Sequence, residues 1–310
     1  MTNAYHVDTF AGRKVADYHP DDGGIKPAVA YRLGLEYGSE FTFPELLDRF
    51  LGEVGSADVT ALVVGPWDYD TMVSEPNREV IEALVAARDR LPKLRSLFLG
   101  DIIGEECEIS WINQGDVSPL LAAYPGLEEF RVRGAVGLTF GRLRHANLRS
   151  LAVESGGLPA EVLAEIFAAD LPRLEHLELL LGTEDYGGIN DVAPLQPLLA
   201  GTPFPKLRYL GLCNSRIADE VAKAVAASPL LNRVRVLDLS LGNLSDDGAA
   251  ALRDSPAVRR LEKLDIHHHF VSPTLVGQLQ ALGIPVDASD VQEPYDFEDG
   301  IPQRYNAMSE

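Results

Sequence analysis

Two carboxylates and a run of three histidines are the first features able to do chemistry in this 310-residue chain. Asp238 lies in VRVLDL, Asp265 in LEKLDI, and His267-His268-His269 follows two residues later. Carboxylate oxygens and imidazole nitrogens are ordinary ligands of divalent cations. Asp238, Asp265 and His267 therefore define one expectation, a metal-dependent enzyme or accessory factor. Against it, successive residues of a strand point to opposite faces, so three adjacent histidines cannot converge. His268 is expected at the core side or in a turn. A second expectation adds His176, Glu178 and Tyr209, a mixture of rings and carboxylates suited to gripping a protein or peptide. Cys213 has no assignable base beside it and reads as a partly buried thiol rather than a nucleophile. Gly23-Gly24 lacks the spacing and lysine of a phosphate loop, and no G-x-S-x-G, H-E-x-x-H or paired C-x-x-C occurs. The leading expectation is a non-enzymatic binding protein with no cofactor and no bound metal; the metal-dependent reading is the alternative.

The overall charge narrows the partner. Twenty-seven basic against 47 acidic residues leave a net charge of −20. Sequence-independent nucleic-acid binding needs basic contacts to phosphates, and anionic membranes likewise attract basic segments. Neither partner is expected; a basic protein or peptide, drawn in by electrostatic steering, is. No apolar run approaches the ~18–20 residues that span a bilayer. MTNAYHVDTF has no basic region followed by an apolar stretch. Two cysteines cannot make a disulfide framework, so a reducing, cytoplasmic setting is expected.

The elements that must position these residues come from a repeat. The pattern apolar-x-x-apolar-x-apolar occurs eight times: VTALVV, LRSLFL, LEEFRV, LRSLAV, LEHLEL, LRYLGL, VRVLDL and LEKLDI, starting at residues 59, 94, 127, 148, 174, 207, 234 and 261. The last two apolar positions are two apart, which is strand alternation. Helical stretches lie between, as at residues 76–91, 159–171, 218–228 and 246–255. Leu163, Ile166 and Phe167 form an apolar stripe at helical spacing. Prolines 92, 125, 172, 205 and 229 close helices before the next strand. Each strand–helix unit leaves an apolar face that a stacked neighbour must cover.

LRYLGLCNSRIADEVAKAVAASP and VRVLDLSLGNLSDDGAAALRDSP resemble the leucine-rich repeat superfamily, specifically its ribonuclease-inhibitor-like branch. Both carry an apolar residue five beyond the third motif position, Ile217 and Leu244, and then an acidic helix start, Asp219 and Asp246-Asp247. The inward Asn usual in that family is replaced by Ser215, Gly242 and His269. ECEISWINQGDVSPLL and RYNAMSE also resemble a small bacterial family of leucine-rich-repeat proteins with no assigned activity, whose members are often encoded beside radical-SAM and ATP-grasp enzymes. The resemblance implies an α/β solenoid, a horseshoe with a parallel concave sheet and helices on the convex side.

Three segments follow: 1–58, an N-terminal cap opening with a hairpin around Ala11-Gly12; 59–287, about eight repeats and a terminal strand; and 288–310, an acidic tail expected to be solvated or loosely docked. Tyr295, Phe297 and Tyr305 are the aromatics available to dock it. Residues 101–117 interrupt the second repeat; EISWI reads as a strand, with Trp111 filling the core or contacting a partner. Motif positions three and five, and the residue after six, should line the concave face. Its N-terminal third is small and apolar: Ala61, Val63, Gly65, Ser96, Phe98 and Gly100. Its C-terminal half carries the polar set, so His176, Glu178, Tyr209, Asp238, Asp265 and His267 are the candidate partner-binding residues. Position two alternates in charge through Arg95, Glu128, Arg149, Glu175 and Arg208, a surface ladder whose pairs contribute roughly 0–1 kcal/mol each.

Overall fold

A computed structural model describes residues 5–20, 23–201, 203–296 and 302–308. Fourteen strands and eight α-helices are assigned among them. Strands β1 to β12 run in chain order and mostly parallel. The contacts divide the chain into two compact units, residues 1–154 with 169–173, and residues 155–168 with 174–309.

In the first unit, β1 (Thr9–Phe10) and β2 (Arg13–Asp17) make an antiparallel hairpin. Ala11 and Gly12 turn it with φ of 51° and 67°, the left-handed pair that a two-residue hairpin turn demands. From β2 onward pairing is parallel, through β3 (Ala30–Leu33), β4 (Ala61–Val64), β5 (Ser96–Leu99), β6 (Glu129–Arg133) and β7 (Ser150–Glu154). The middle motif positions fall in register, Leu62 beside Leu97, Leu97 beside Phe130, and Phe130 beside Leu151. The helices are α1 (Phe43–Gly52), α2 (Arg78–Ala86) and α3 (Ser118–Ala123). Thr42 and Glu45 close a reciprocal capping box at the start of α1, and Pro44 sits in its first turn.

The second unit opens with α4 (Ala160–Phe167), whose Leu163, Ile166 and Phe167 are buried as their spacing predicts. Then come β8 (His176–Gly182), α5 (Gln196–Leu199), β9 (Tyr209–Ser215), α6 (Ala218–Ala226), β10 (Val236–Asp238), α7 (Asp246–Asp254), β11 (Lys263–Asp265), α8 (Pro273–Gln280) and β12 (Val286–Asp287). Leu177, Leu210, Leu237 and Leu264 are successive register partners and completely buried. The acidic helix starts act on the next helix along. Asp219 of α6 accepts from Ser245 N at 2.8 Å and Gly248 N at 3.1 Å, so it caps α7. Asp246 of α7 accepts from Ser272 N at 2.7 Å at the start of α8. Glycine at 248 allows the two helix starts to approach closely, since a Cβ there would lie 2.8 Å from the backbone Cα of Asp219 and 2.7 Å from its Oδ1.

Three expectations are corrected. Residues 101–117 form turns and isolated bridges, not a strand. Ile109 and Ile112, three apart, both turn inward to complete burial, while Trp111 between them is 51% exposed and does not fill the core. Residues 302–308 are docked rather than solvated. The segment opens on β14 (Pro302–Gln303), which pairs antiparallel with β13 (Tyr295–Asp296). Arg304 then reaches Asp219 and the Asn243 carbonyl, and Ala307 N donates to Leu241 O at 2.8 Å. The Asn214 amide is bonded to both the N–H and the C=O of Met308, whose side chain is buried. The acidic composition concealed this anchor because its donors and acceptors are mainly backbone and asparagine. Phe297 lies outside the described residues. Third, the N-terminal part of the sheet face turned away from the helices is not open: Ala61, Val63 and Phe98 are buried in one cluster with Phe10, Val15 and Ala30. Small side chains leave a trough there, and Phe10 enters it with its ring 6.0 Å from that of Phe98. In the position-two ladder Arg149 and Glu128 lie 3.9 Å apart, both about half exposed.

Truncating Leu210 opens a cavity between strand and helix, so Leu210→Ala should lose about 2–5 kcal/mol. Arg208, just ahead of β9, is exposed, and Arg208→Ala should stay within about 0.5 kcal/mol. Chemical denaturation of the two variants checks the inward and outward assignment.

Candidate functional site

All six residues expected to bind a partner lie in the second unit, and they are joined in two bonded groups on β8 to β11 and the residues just after β11. The first is a stack. His176 and Tyr209 are register partners, and their rings lie 3.9 Å apart and 9° from parallel. His176 Nε2 is 3.2 Å from Glu178 Oε2. The Tyr209 hydroxyl donates to Asp238 Oδ2 at 2.6 Å, and Ser240 N donates to Asp238 Oδ1 at 2.9 Å. Burial and the nearby carboxylates of Glu178 and Asp238 push the Tyr209 phenol far up, so it remains a donor. The second group centres on Asp265. Lys263 Nζ donates to Oδ2 at 2.7 Å, and His267 Nδ1 lies 2.8 Å from Oδ1. Burial alone raises the Asp265 carboxyl, but the hydrogen bonds from His267 and Lys263 outweigh it and hold it at about 2. The same contact raises His267 above its ordinary value.

Asp238 and Asp265 are register partners, as are Asp265 and Asp287. Asp238 is nevertheless held by Tyr209 and Ser240, while Lys263 links Asp265, at 2.7 Å, to Asp287, at 3.7 Å. Among the described residues no three His, Cys, Asp or Glu side chains are arranged to hold a metal ion. The histidine run splits three ways. His267 joins the sheet-face group; His268 sits in a left-handed turn at φ 56° with Nδ1 3.2 Å from Asp290. His269 occupies the inward slot with no exposure, accepting from Val271 N at 3.0 Å and contacting Ala288 O at 3.1 Å. Burial lowers its pKa, so it is a neutral loop anchor. Cys213 is buried with its Sγ 3.7 Å from Asp238 O, and burial pushes its thiol well up, which is the opposite of an activated nucleophile.

A charge cluster in the first unit carried no motif. Asp101 is completely buried, as is Arg133 at 1% exposure, and Glu154 is nearly so. Arg133 Nε donates to Glu154 at 2.6 Å, and its Nη1 to Ile102 O at 2.7 Å and lies 3.6 Å from Asp101. Arg131 pairs with the same Glu154, and its guanidinium lies 4.5 Å over the Phe98 ring. Arg32 bridges Asp17 and Asp101, both at 2.7 Å. His6 closes the cluster, with Nε2 3.2 Å from Glu106 and Nδ1 3.1 Å from the Asp101 carbonyl. Burial alone raises Glu154 and Asp101; the guanidiniums, and for Asp101 first the His6 bond, hold both below the carboxylate range. The signal available in the sequence was RVR at 131–133, since arginine at 133 occupies a position that is Gly65, Gly100 or Cys213 in other repeats.

The fold defines an α/β repeat protein built from leucine-rich strand–helix units. No family model and no curated protein matches the sequence. A solved protein from Bacteroides fragilis is 32% identical, with a TM-score of 0.79 over 84% of this chain and 74% of its own. This chain belongs to the same family as that protein. An internalin of Listeria monocytogenes is 17% identical, with a TM-score of 0.41 over 84% of this chain and 61% of its own. Among the described residues no helix is long and apolar enough to cross a membrane.

Two stability predictions follow from the charge cluster. Arg133→Met leaves Asp101 and Glu154 buried without their shared cation and should cost about 3–5 kcal/mol in denaturant unfolding. His6 is raised from 6.5 to about 9 by Asp101 and Glu106. Its contribution is therefore complete below pH 6.5 and lost as pH rises through about 9. His6→Gln should melt lower than the parent at pH 6, by the equivalent of about 1 kcal/mol, and level with it above the raised value.

Proposed function

We propose that this chain is a non-enzymatic, cytoplasmic scaffold that binds a basic protein or peptide on the concave face of a leucine-rich-repeat solenoid of the ribonuclease-inhibitor-like kind. The observation that carries this reading is the pre-ordered polar row of the second unit. Glu178, Asp238, Asp265 and Asp287 stand on β8, β10, β11 and β12, and the first two flank the fixed His176–Tyr209 stack. Rings held by stacking and by a hydroxyl bond lose little entropy on binding, which is how rigid aromatics become hot spots. The carboxylates supply the complement to a basic partner, in keeping with the net charge of −20. The first unit fills the equivalent face with Phe10, whereas in the second unit Glu178, Tyr209, Asp238 and Asp287 are half-buried around a buried Asp265.

Affinity capture with the parent, Asp238→Asn and Tyr209→Ala, read by mass spectrometry, tests the proposal. A basic protein retained by the parent should be depleted by both variants, more by Tyr209→Ala. Its retention should fall as salt rises, since exposed charges are screened over about 8–10 Å. Retention that ignores both substitutions and the salt refutes the assignment of this face.

A further inference from the structure

The first unit carries a second recessed surface, apart from the polar row. A cleft of about 800 Å³ lies between the loop that follows β3 and the loop that follows β4, at the starts of α1 and α2. Its walls hold five aromatic rings, those of Tyr37, Phe41, Phe43, Trp67 and Tyr69. Trp67 is buried. Tyr37 is 85% exposed and meets Tyr69 edge to face, with ring centroids 5.6 Å apart. Phe41, on the rim, already has the Arg49 guanidinium 4.2 Å over its ring, so cation–π contact is a geometry this edge supports. An aromatic as exposed as Tyr37 gains nothing from the core; its ring area is available to a ligand.

The electrostatics of the cleft select the sign of that ligand. Glu36, Asp68, Asp70 and Glu75 line it from the two loops. Glu79 is accounted for by the first turn of α2, where an acid favours the helix dipole, and Asp68 accepts from Asp70 N at 2.8 Å within its own turn; neither role falls to Glu36, Asp70 or Glu75. Burial, with the charges of Glu106 and Glu36, raises the Tyr69 phenol to about 12. Arg78 is the single basic residue among the lining side chains.

One buried atom at the cleft independently points to a donor. Asn77 lines it and is buried, and its Oδ1 has no hydrogen-bond partner. The orientation of this amide is settled by a chain of bonds. Arg133 O can only accept, so Gln114 must present Nε2 to it, at 2.5 Å. Gln114 Oε1 therefore faces Asn77 and takes Nδ2 at 2.6 Å. Oδ1 is what remains, an acceptor without a donor. Such an atom costs about 1–3 kcal/mol while unpaired and becomes favourable when an N–H reaches it.

We infer that this cleft binds an arginine side chain presented by a partner's peptide segment. Guanidinium matches all three features: a flat cation that stacks on aromatic rings, several N–H groups for the loop carboxylates, and one more for Asn77 Oδ1. Ammonium fits the charge but lacks the plane and the fork.

The probe is a fluorescein-labelled, N-acetylated and C-amidated peptide of three arginines separated by glycines, titrated against the full chain by fluorescence anisotropy. A matched peptide with citrulline keeps the shape and removes the charge. The parent should bind the arginine peptide at least about 10-fold tighter than the citrulline peptide. Tyr37→Ala should weaken binding about 5-fold, the usual worth of one cation–π contact. Glu75→Gln should weaken it and make it less salt-dependent. Both side chains are exposed, and circular dichroism should confirm unchanged folding. Asp238→Asn, on the other surface, should leave this binding unaltered. Equal affinity for arginine and citrulline, or indifference to Tyr37→Ala and Glu75→Gln, overturns the inference. Loss of binding in Asp238→Asn alone also overturns it, by placing the cation on the polar row.

Discussion

A strand–helix unit of this chain cannot complete its own core. Each contributes one middle leucine or phenylalanine, an inward apolar residue two further on, and one helix stripe, and the flank of that small cluster is bare. The remedy is register. Leu62, Leu97, Phe130 and Leu151 stand side by side in the first unit, and Leu177, Leu210, Leu237 and Leu264 in the second. A slip of one residue would turn every one of them to the opposite face. Everything on that opposite face, including the polar row, is placed by this requirement. The helices are tied by the same logic of neighbours, since Asp219 and Asp246 each cap the helix after their own, so a unit is finished only by the next.

The buried charges of the first unit are a different kind of constraint. Asp101, Arg133 and Glu154 are removed from water, which is costly for each ion. They remain charged because each anion meets at least one guanidinium and the remaining polar atoms find backbone partners, as Arg133 does on Ile102 O. Dispersed over three consecutive repeats, the cluster ties β3, β6 and β7 to the segment around His6. That segment, continuing through Phe10, covers the small-residue trough of Ala61 and Val63. The two faces of similar derivation thus differ in fate. In the first unit the face is covered by the chain itself; in the second it carries Glu178, Asp238 and Asp265 with rings held between them.

Pre-ordering marks the second unit's row as well. Tyr209 makes its hydroxyl bond and its stack with groups of the chain itself, and Asp265 is held between Lys263 and His267. The bonds that order the carboxylates draw Asp238 and Asp265 toward different donors although the two residues are register neighbours. Proximity of residues on adjacent strands is therefore a weaker statement than convergence of their side chains.

The sequence by itself determined the strand–helix alternation, the positions of the middle leucines, the stripe of Leu163, Ile166 and Phe167, and the inward slot of His269. It also placed Tyr209, Asp238 and Asp265 on one face. These are consequences of a local period, two along a strand and 3.6 along a helix, and a local period is readable in a linear chain. Tertiary structure alone decided the rest. It set Trp111 in solvent while Ile109 and Ile112 took the core, and it bound residues 302–308 to Asn214. It also brought His6 onto Asp101 across 95 residues of sequence. Those outcomes depend on which distant segment comes to rest over a given face. A segment is held there by charge pairs and backbone hydrogen bonds, which have no period and leave no pattern along the chain.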